Sequence, residues 1–94
     1  MAPQKRAGED IAIRRRRLRY RAWHRGTREL DLLLGPFADA ELDSMEPAEL
    51  DRFEALLDAE ETDLQSWLLN QAAPPPSADH ALLARITANK LDNR

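Results

Sequence analysis

The chain contains 15 leucines and 15 alanines but only three isoleucines and no valine. Side chains branched at Cβ suit strands, whereas Leu and Ala lose least on entering a helix, so this apolar repertoire directs the chain to an all-α fold. Its 94 residues correspond to one folded unit. For a mass of 10.7 kDa, area scaling gives roughly 15,500 Å² of surface unfolded and about 5,500 Å² folded. That hides enough surface for a small core and leaves no room for a deep substrate cavity. The longest apolar runs, such as Leu32-Leu33-Leu34, fall far short of the ~20 residues a membrane helix needs, so no membrane insertion is expected. The absence of cysteine removes disulfides, thiolate metal sites and cysteine nucleophiles together, and suits a reducing compartment.

Charge is distributed unevenly. Residues 1–28 carry ten Lys or Arg against two acids, a balance of +8, while the remainder carries −11, leaving −3 overall. The basic end points to an anionic partner surface or to nucleic acid; the acidic end opposes wrapping by a polyphosphate.

Residues 1–9, with Pro, Gly and no apolar period, are expected to form a flexible tail, followed by one helical domain over 10–91 and a short tail at 92–94. Asp10 is a candidate N-cap for a first helix reaching about His24. At 100° per residue Ile11, Leu18 and Ala22 share one stripe, and Ile13, Tyr20 and Trp23 lie on roughly the opposite side. One side is therefore expected to be buried and the other to remain partly available. Arg14, Arg17, Arg21 and Arg25 form a basic ridge between the two. Gly26 is expected to close this helix as a left-handed C′ residue and to serve as N-cap of the next, which places Glu29 at N3.

The second helix is predicted over Thr27 to Glu41, burying Leu30, Leu33, Leu34 and Phe37, with a kink or break at Gly35-Pro36. A third starts at Pro47 and runs to about Ala59 with Leu50, Phe53, Leu56 and Leu57 inward. A fourth covers Thr62 to about Asn70 with Leu64, Trp67 and Leu68 on one face. The triple proline Pro74-Pro75-Pro76 forms a stiff connector, after which Ser77 caps a last helix that buries Leu82, Leu83 and Ile86 and ends near Asn89. Together these make a compact five-helix bundle of short helices.

Enzymatic chemistry is not indicated. His24 and His80 belong to no metal-ligand spacing, and no nucleophile elbow or phosphate-cradling glycine loop is present. Glu60, Glu61 and Asp63 are explained by the first turn of the fourth helix. The run Arg14 to Arg21, interleaved with Tyr20, invites a nucleic-acid reading; the simpler readings are a solvated face or a strip that pairs with the acidic remainder of the bundle. Trp67 is expected in the core, whereas Trp23 suits the core or an interface anchor equally.

The stretch from Arg16 to Leu34 contains Arg25, Gly26 and Glu29 in the pattern R-G-x-x-E, preceded by a basic leader and followed by a leucine-rich helix with Phe37. With the later Phe53-x-x-Leu56-Leu57 and Asp63-Leu64-x-x-Trp67-Leu68, it resembles the succinate dehydrogenase flavinylation factor family over roughly residues 14–70. The resemblance implies a five-helix assembly chaperone that binds the flavoprotein subunit of succinate dehydrogenase, or in bacteria of fumarate reductase, and promotes covalent attachment of FAD to that subunit. FAD would remain the partner's cofactor, with none stably bound to this chain. The implied partner-binding residues are Arg21, Trp23, Arg25, Gly26, Arg28 and Glu29, with no catalytic or metal-binding residue. The protein is expected to be monomeric when free and, lacking a recognisable leader, to reside in the bacterial cytoplasm. A nucleic-acid-binding or antitoxin-type helical protein using the basic first helix is the alternative.

Overall fold

Asp10 sits in extended conformation and accepts a hydrogen bond from the Ala12 amide at 2.9 Å, which starts α1 (Ile11–Trp23). The coordinates, a computed structural model, describe residues 9–92. The tails expected at 1–9 and 92–94 therefore lie outside the described residues except for Glu9 and Asp92. Leu18 and Ala22 are fully buried. On the opposite side Ile13 and Tyr20 are 50% and 66% exposed, so the second apolar side of α1 is available.

Helix α2 (Arg28–Glu41) is capped by Thr27, not by Gly26. The Thr27 hydroxyl accepts from the Leu30 amide at 3.2 Å, an interaction glycine cannot offer. Glu29 accordingly occupies N2, one position earlier in the turn than expected. The helix also runs unbroken through Pro36, contrary to the expected kink or break. Gly35 has no Cβ to clash with the Pro36 ring, so the helical conformation before proline is accessible. Burial of Leu33 and Leu34 on one side and Phe37 and Ala38 on the other holds the segment to the core.

A 3-10 turn at Leu42–Ser44 leads into α3 (Pro47–Leu57), where Pro47 takes the first position and the Glu49 carboxylate accepts from the Glu46 amide at 3.3 Å. Helix α4 (Glu61–Leu68) ends earlier than expected, because Asn70 adopts φ 60° and turns the chain away. Helix α5 (His80–Asp92) is capped by Asp79 rather than Ser77: its carboxylate accepts from the Leu82 amide at 3.1 Å. Residues before it form a turn in which the Ala78 amide donates to the Pro75 carbonyl. The helix continues past Asn89.

α2 lies at the centre, packed on α1, α4 and α5, while α1 also packs on α3. Phe37 of α2 and Phe53 of α3 meet with ring centroids 5.7 Å apart. The architecture is all-α, five helices around one apolar core, with no strand among the described residues. No described helix is long and apolar enough to cross a membrane.

The cap of α5 is coupled to pH. A hydrogen bond from Arg52, seconded by the Leu82 amide, holds the Asp79 carboxyl below its ordinary value of 3.8. A carboxyl whose pKa is depressed in the folded state contributes stability above its unfolded pKa and loses it as pH falls through the folded one. Asp79→Asn keeps a capping oxygen and removes the charge. The variant is expected to melt below the parent at neutral pH, with the gap closing under strong acid. A gap that stays constant across the titration would assign it to something other than this charge.

Candidate functional site

The basic ridge of α1 faces inward against the acids of α3. Arg14, 6% exposed, donates through Nη2 to Glu54 at 2.8 Å and to Asp51 at 2.7 Å. Arg17 reaches Glu54 at 2.9 Å and Glu9 at 2.9 Å. Burial acts to lower the Arg14 pKa, and hydrogen bonds to Asp51 and Glu54 outweigh it, leaving the group above its ordinary value. Hydrogen bonds to Glu9 and then Glu54 raise that of Arg17. Arg15 donates to the Met45 carbonyl, and Arg19 pairs with Asp39 and Asp43. Among the described residues, Arg16 is the one arginine from 14 to 21 whose side chain makes no hydrogen bond or ion pair to either a side chain or the backbone. Among the described residues, a run spent in this way leaves few of its cations free to follow a phosphate track, which gives the nucleic-acid reading no support.

The same ridge braces the corner between α1 and α2. Arg21 pairs with Asp58 at 3.0 Å and donates to the Leu57 carbonyl, and Arg25 donates to the Ala59 carbonyl at 3.2 Å. Both expected site residues thus point toward the end of α3. Helix α1 closes at His24, whose Nδ1 donates to the Tyr20 carbonyl at 2.8 Å while its ring stacks on Tyr20 at 4.1 Å. The Arg25 amide donates to Asp31 at 2.7 Å, and the Thr27 hydroxyl donates to Gln65 of α4 at 2.9 Å. Every residue from His24 to Thr27 except Gly26 is therefore tied by a hydrogen bond.

Gly26 lies two residues beyond the C-cap His24 rather than one, with φ +120°. A side chain there is strained by roughly 1–3 kcal/mol. Its Cβ would also lie 2.7 Å from a carboxylate oxygen of Glu61. Substituting Gly26 consequently perturbs the backbone of the corner as well as its surface.

Trp23 is part-buried. Its indole lies flat on Gly35 of α2, occupying the space a Cβ would take. Its Nε1 donates to the Asp39 carboxylate at 3.3 Å. Trp23 joins His24, Gly26, Thr27, Arg28, Asp31 and Leu32 in lining an open groove of about 540 Å³. Glu29 borders a smaller neighbouring groove of about 210 Å³ with Leu32, Leu33, Leu69 and Lys90.

Of the six expected residues, the structure brings Trp23, Gly26 and Arg28 together in one groove and sets Glu29 beside it. Arg28 and Glu29 are exposed and have no side-chain partner among the described residues. The surface also includes Tyr20, His24 and Leu32, which were not singled out as site residues. Leu32 is 54% exposed, and its signal was available in its phase, about 200° from Leu30 on α2. Tyr20 and His24, four apart on a helix, form a stacked pair that spacing alone permits. Among the described residues no group of three or more His, Asp or Glu is arranged to hold a metal ion.

Comparison with known proteins bears on this corner. The family model described as flavinator of succinate dehydrogenase matches residues 16–90. The FAD assembly factor SdhE of Acetobacter pasteurianus is 39% identical over 80 residues, covering 85% of this chain and 73% of that protein. The mitochondrial succinate dehydrogenase assembly factor 2 of Cryptococcus neoformans is 41% identical over 73 residues, 78% of this chain and 42% of that one. Its counterpart in Aspergillus flavus is 38% identical over 78 residues, 83% of this chain and 26% of that one. The chain thus spans less than half the length of these two mitochondrial relatives. With the R-G-x-x-E corner and helices α2, α3 and α4 wholly inside the matched region, and most of α1 and α5 with them, the chain belongs to the succinate dehydrogenase FAD assembly factor family.

Proposed function

We propose that this corner docks on the flavoprotein subunit of succinate dehydrogenase and promotes covalent attachment of that subunit's FAD. The observation that carries the reading is the pairing of Arg28 and Glu29, exposed and unengaged, beside a groove whose backbone is held by internal hydrogen bonds. Opposite charges on a fixed backbone lose little conformational freedom on docking, so their interactions with a partner are not offset by ordering the corner.

FAD stays with the flavoprotein, and this chain supplies no catalytic group. Its contribution is to restrict motion: a subunit that samples many arrangements of flavin and acceptor side chain spends more time aligned when the helper prefers the aligned form. Arg21 and Arg25 brace the corner from behind, while Trp23, Gly26, Arg28 and Glu29 meet the partner. The encounter is assigned to the monomeric protein in the bacterial cytoplasm.

Co-expression tests the reading. The flavoprotein subunit of succinate dehydrogenase should co-purify with this protein, and denatured subunit should show in-gel flavin fluorescence that falls sharply when the protein is omitted. Equal fluorescence with and without it would refute the function. A parallel sample with the fumarate reductase subunit reports whether the preference extends to that enzyme.

A further inference from the structure

We infer that Gly35 and Trp23 form a size-matched pair in which the missing side chain of Gly35 sets the position of one wall of the corner groove, making Gly35 a positioning residue for partner binding. The inference rests on the reading of the groove as the docking surface, although the pairing itself is a property of the fold.

Gly35 is buried within α2, where glycine is a poor choice on propensity alone. A Cβ built on it would fall among Cδ2, Cε2 and Cε3 of the Trp23 indole. The obstacle is the rigid bicyclic ring and not the end of a flexible chain, as it is at Gly26. The ring is held at a second point as well. Its Nε1 donates to Asp39, one turn further along the same helix, and Asp39 is itself fixed by Arg19 at 3.1 Å. The indole is therefore pinned to α2 by its flat face on Gly35 and by its N–H on Asp39.

A methyl group at position 35 lifts the face while Asp39 retains the edge, so the ring must tilt. Interiors this closely packed accommodate such an addition by displacing the neighbour. Trp23 lines the groove, so moving its ring alters the docking surface. Gly35 also precedes Pro36, which gives glycine an independent backbone reason to be there. The experiment has to separate the two.

Thermal melts of the parent, Gly35→Ala, Trp23→Leu and the double variant do so. Gly35→Ala is expected to lower Tm by about 5 °C or more in the parent and by less than about 2 °C once the indole is gone, a non-additivity expected of residues in contact. Equal losses in both backgrounds would assign Gly35 to the proline alone and overturn the pairing. Two indole N–H resonances are expected in an amide correlation spectrum, separated by Trp67→Phe. The Trp23 signal should move in Gly35→Ala, and an unmoved signal would overturn the inference. Titration against the purified flavoprotein subunit should give a Kd for Gly35→Ala weaker by at least about tenfold. If Gly35→Ala does not fold, Asp39→Ala releases the other anchor and should move the same resonance and weaken Kd in the same direction. Failure of the parent to bind would refute the docking reading while leaving the melting cycle to judge the pair. A displaced indole with unchanged Kd would refute the positioning role.

Discussion

Glu54→Ala is expected to lower Tm by about 15 °C or more, a loss large enough to leave a domain of this size marginal. Glu54 is 1% exposed and receives two guanidinium groups: Nε and Nη2 of Arg14 at 3.2 and 2.8 Å, and Nη1 of Arg17 at 2.9 Å. Without it, Arg14 keeps only Asp51 while its guanidinium stays buried, and Arg17 falls back on Glu9. Removing one partner of a buried ion pair costs about 3–5 kcal/mol, because the remaining charge is stranded away from water. Thermal unfolding followed by circular dichroism measures the loss. A drop under about 5 °C would show that the partners remaining to Arg14 and Arg17, Asp51 and Glu9 among them, neutralise both arginines. The pair is not thereby a net source of stability. Arg14→Met combined with Glu54→Leu should recover most of the loss, since apolar residues of similar volume commonly match or exceed a buried ion pair.

That network also marks where the sequence stops being legible. The apolar periods of α2 and α3 identified Leu30, Leu33, Leu34, Phe37, Leu50, Phe53, Leu56 and Leu57 correctly, because a 3.6-residue period is a local property. The burial of Arg14 depends on acids 37 and 40 residues away, and no local pattern announces it. Asp10 caps α1 as its local pattern indicates, but two other caps fall elsewhere for a related reason. Thr27 competes with Gly26 and Asp79 with Ser77 over a few residues, and the choice is made by partners elsewhere, Gln65 for Thr27 and Arg52 for Asp79. Gly35-Pro36 reads locally as an interruption; packing on both sides of it keeps the helix whole. At the corner, the motif drew attention to Arg25, Gly26 and Glu29, whereas the contact of Trp23 with Gly35 joins two helices and shows only in three dimensions.

Glu29→Lys is expected to reduce covalent flavin incorporation into the partner subunit by at least about tenfold while moving Tm by only a few degrees. Glu29 is in the first turn of α2, exposed, and without a side-chain partner among the described residues, so nothing in the fold is unmade by replacing it. The structural penalty is confined to the helix dipole, where an acid near the N-terminus is worth about 0.3–1 kcal/mol and a cation is unfavourable. The functional penalty is larger. A hydrogen bond to a charged group contributes about 1.5–3 kcal/mol, and each 1.4 kcal/mol is tenfold in affinity, so losing one such contact and adding a repulsive charge exceeds one order of magnitude. Glu29→Gln keeps the acceptor oxygen without the charge and should fall between parent and lysine variant. Kd from titration with purified subunit, read beside in-gel flavin fluorescence, divides the effect. A weaker Kd with proportionally less flavin assigns Glu29 to docking; an unchanged Kd with less flavin assigns it to aligning the docked subunit. Parent-level flavin in Glu29→Lys would remove Glu29 from the interface, and with it the argument that unengaged charge at this corner marks the surface the flavoprotein meets.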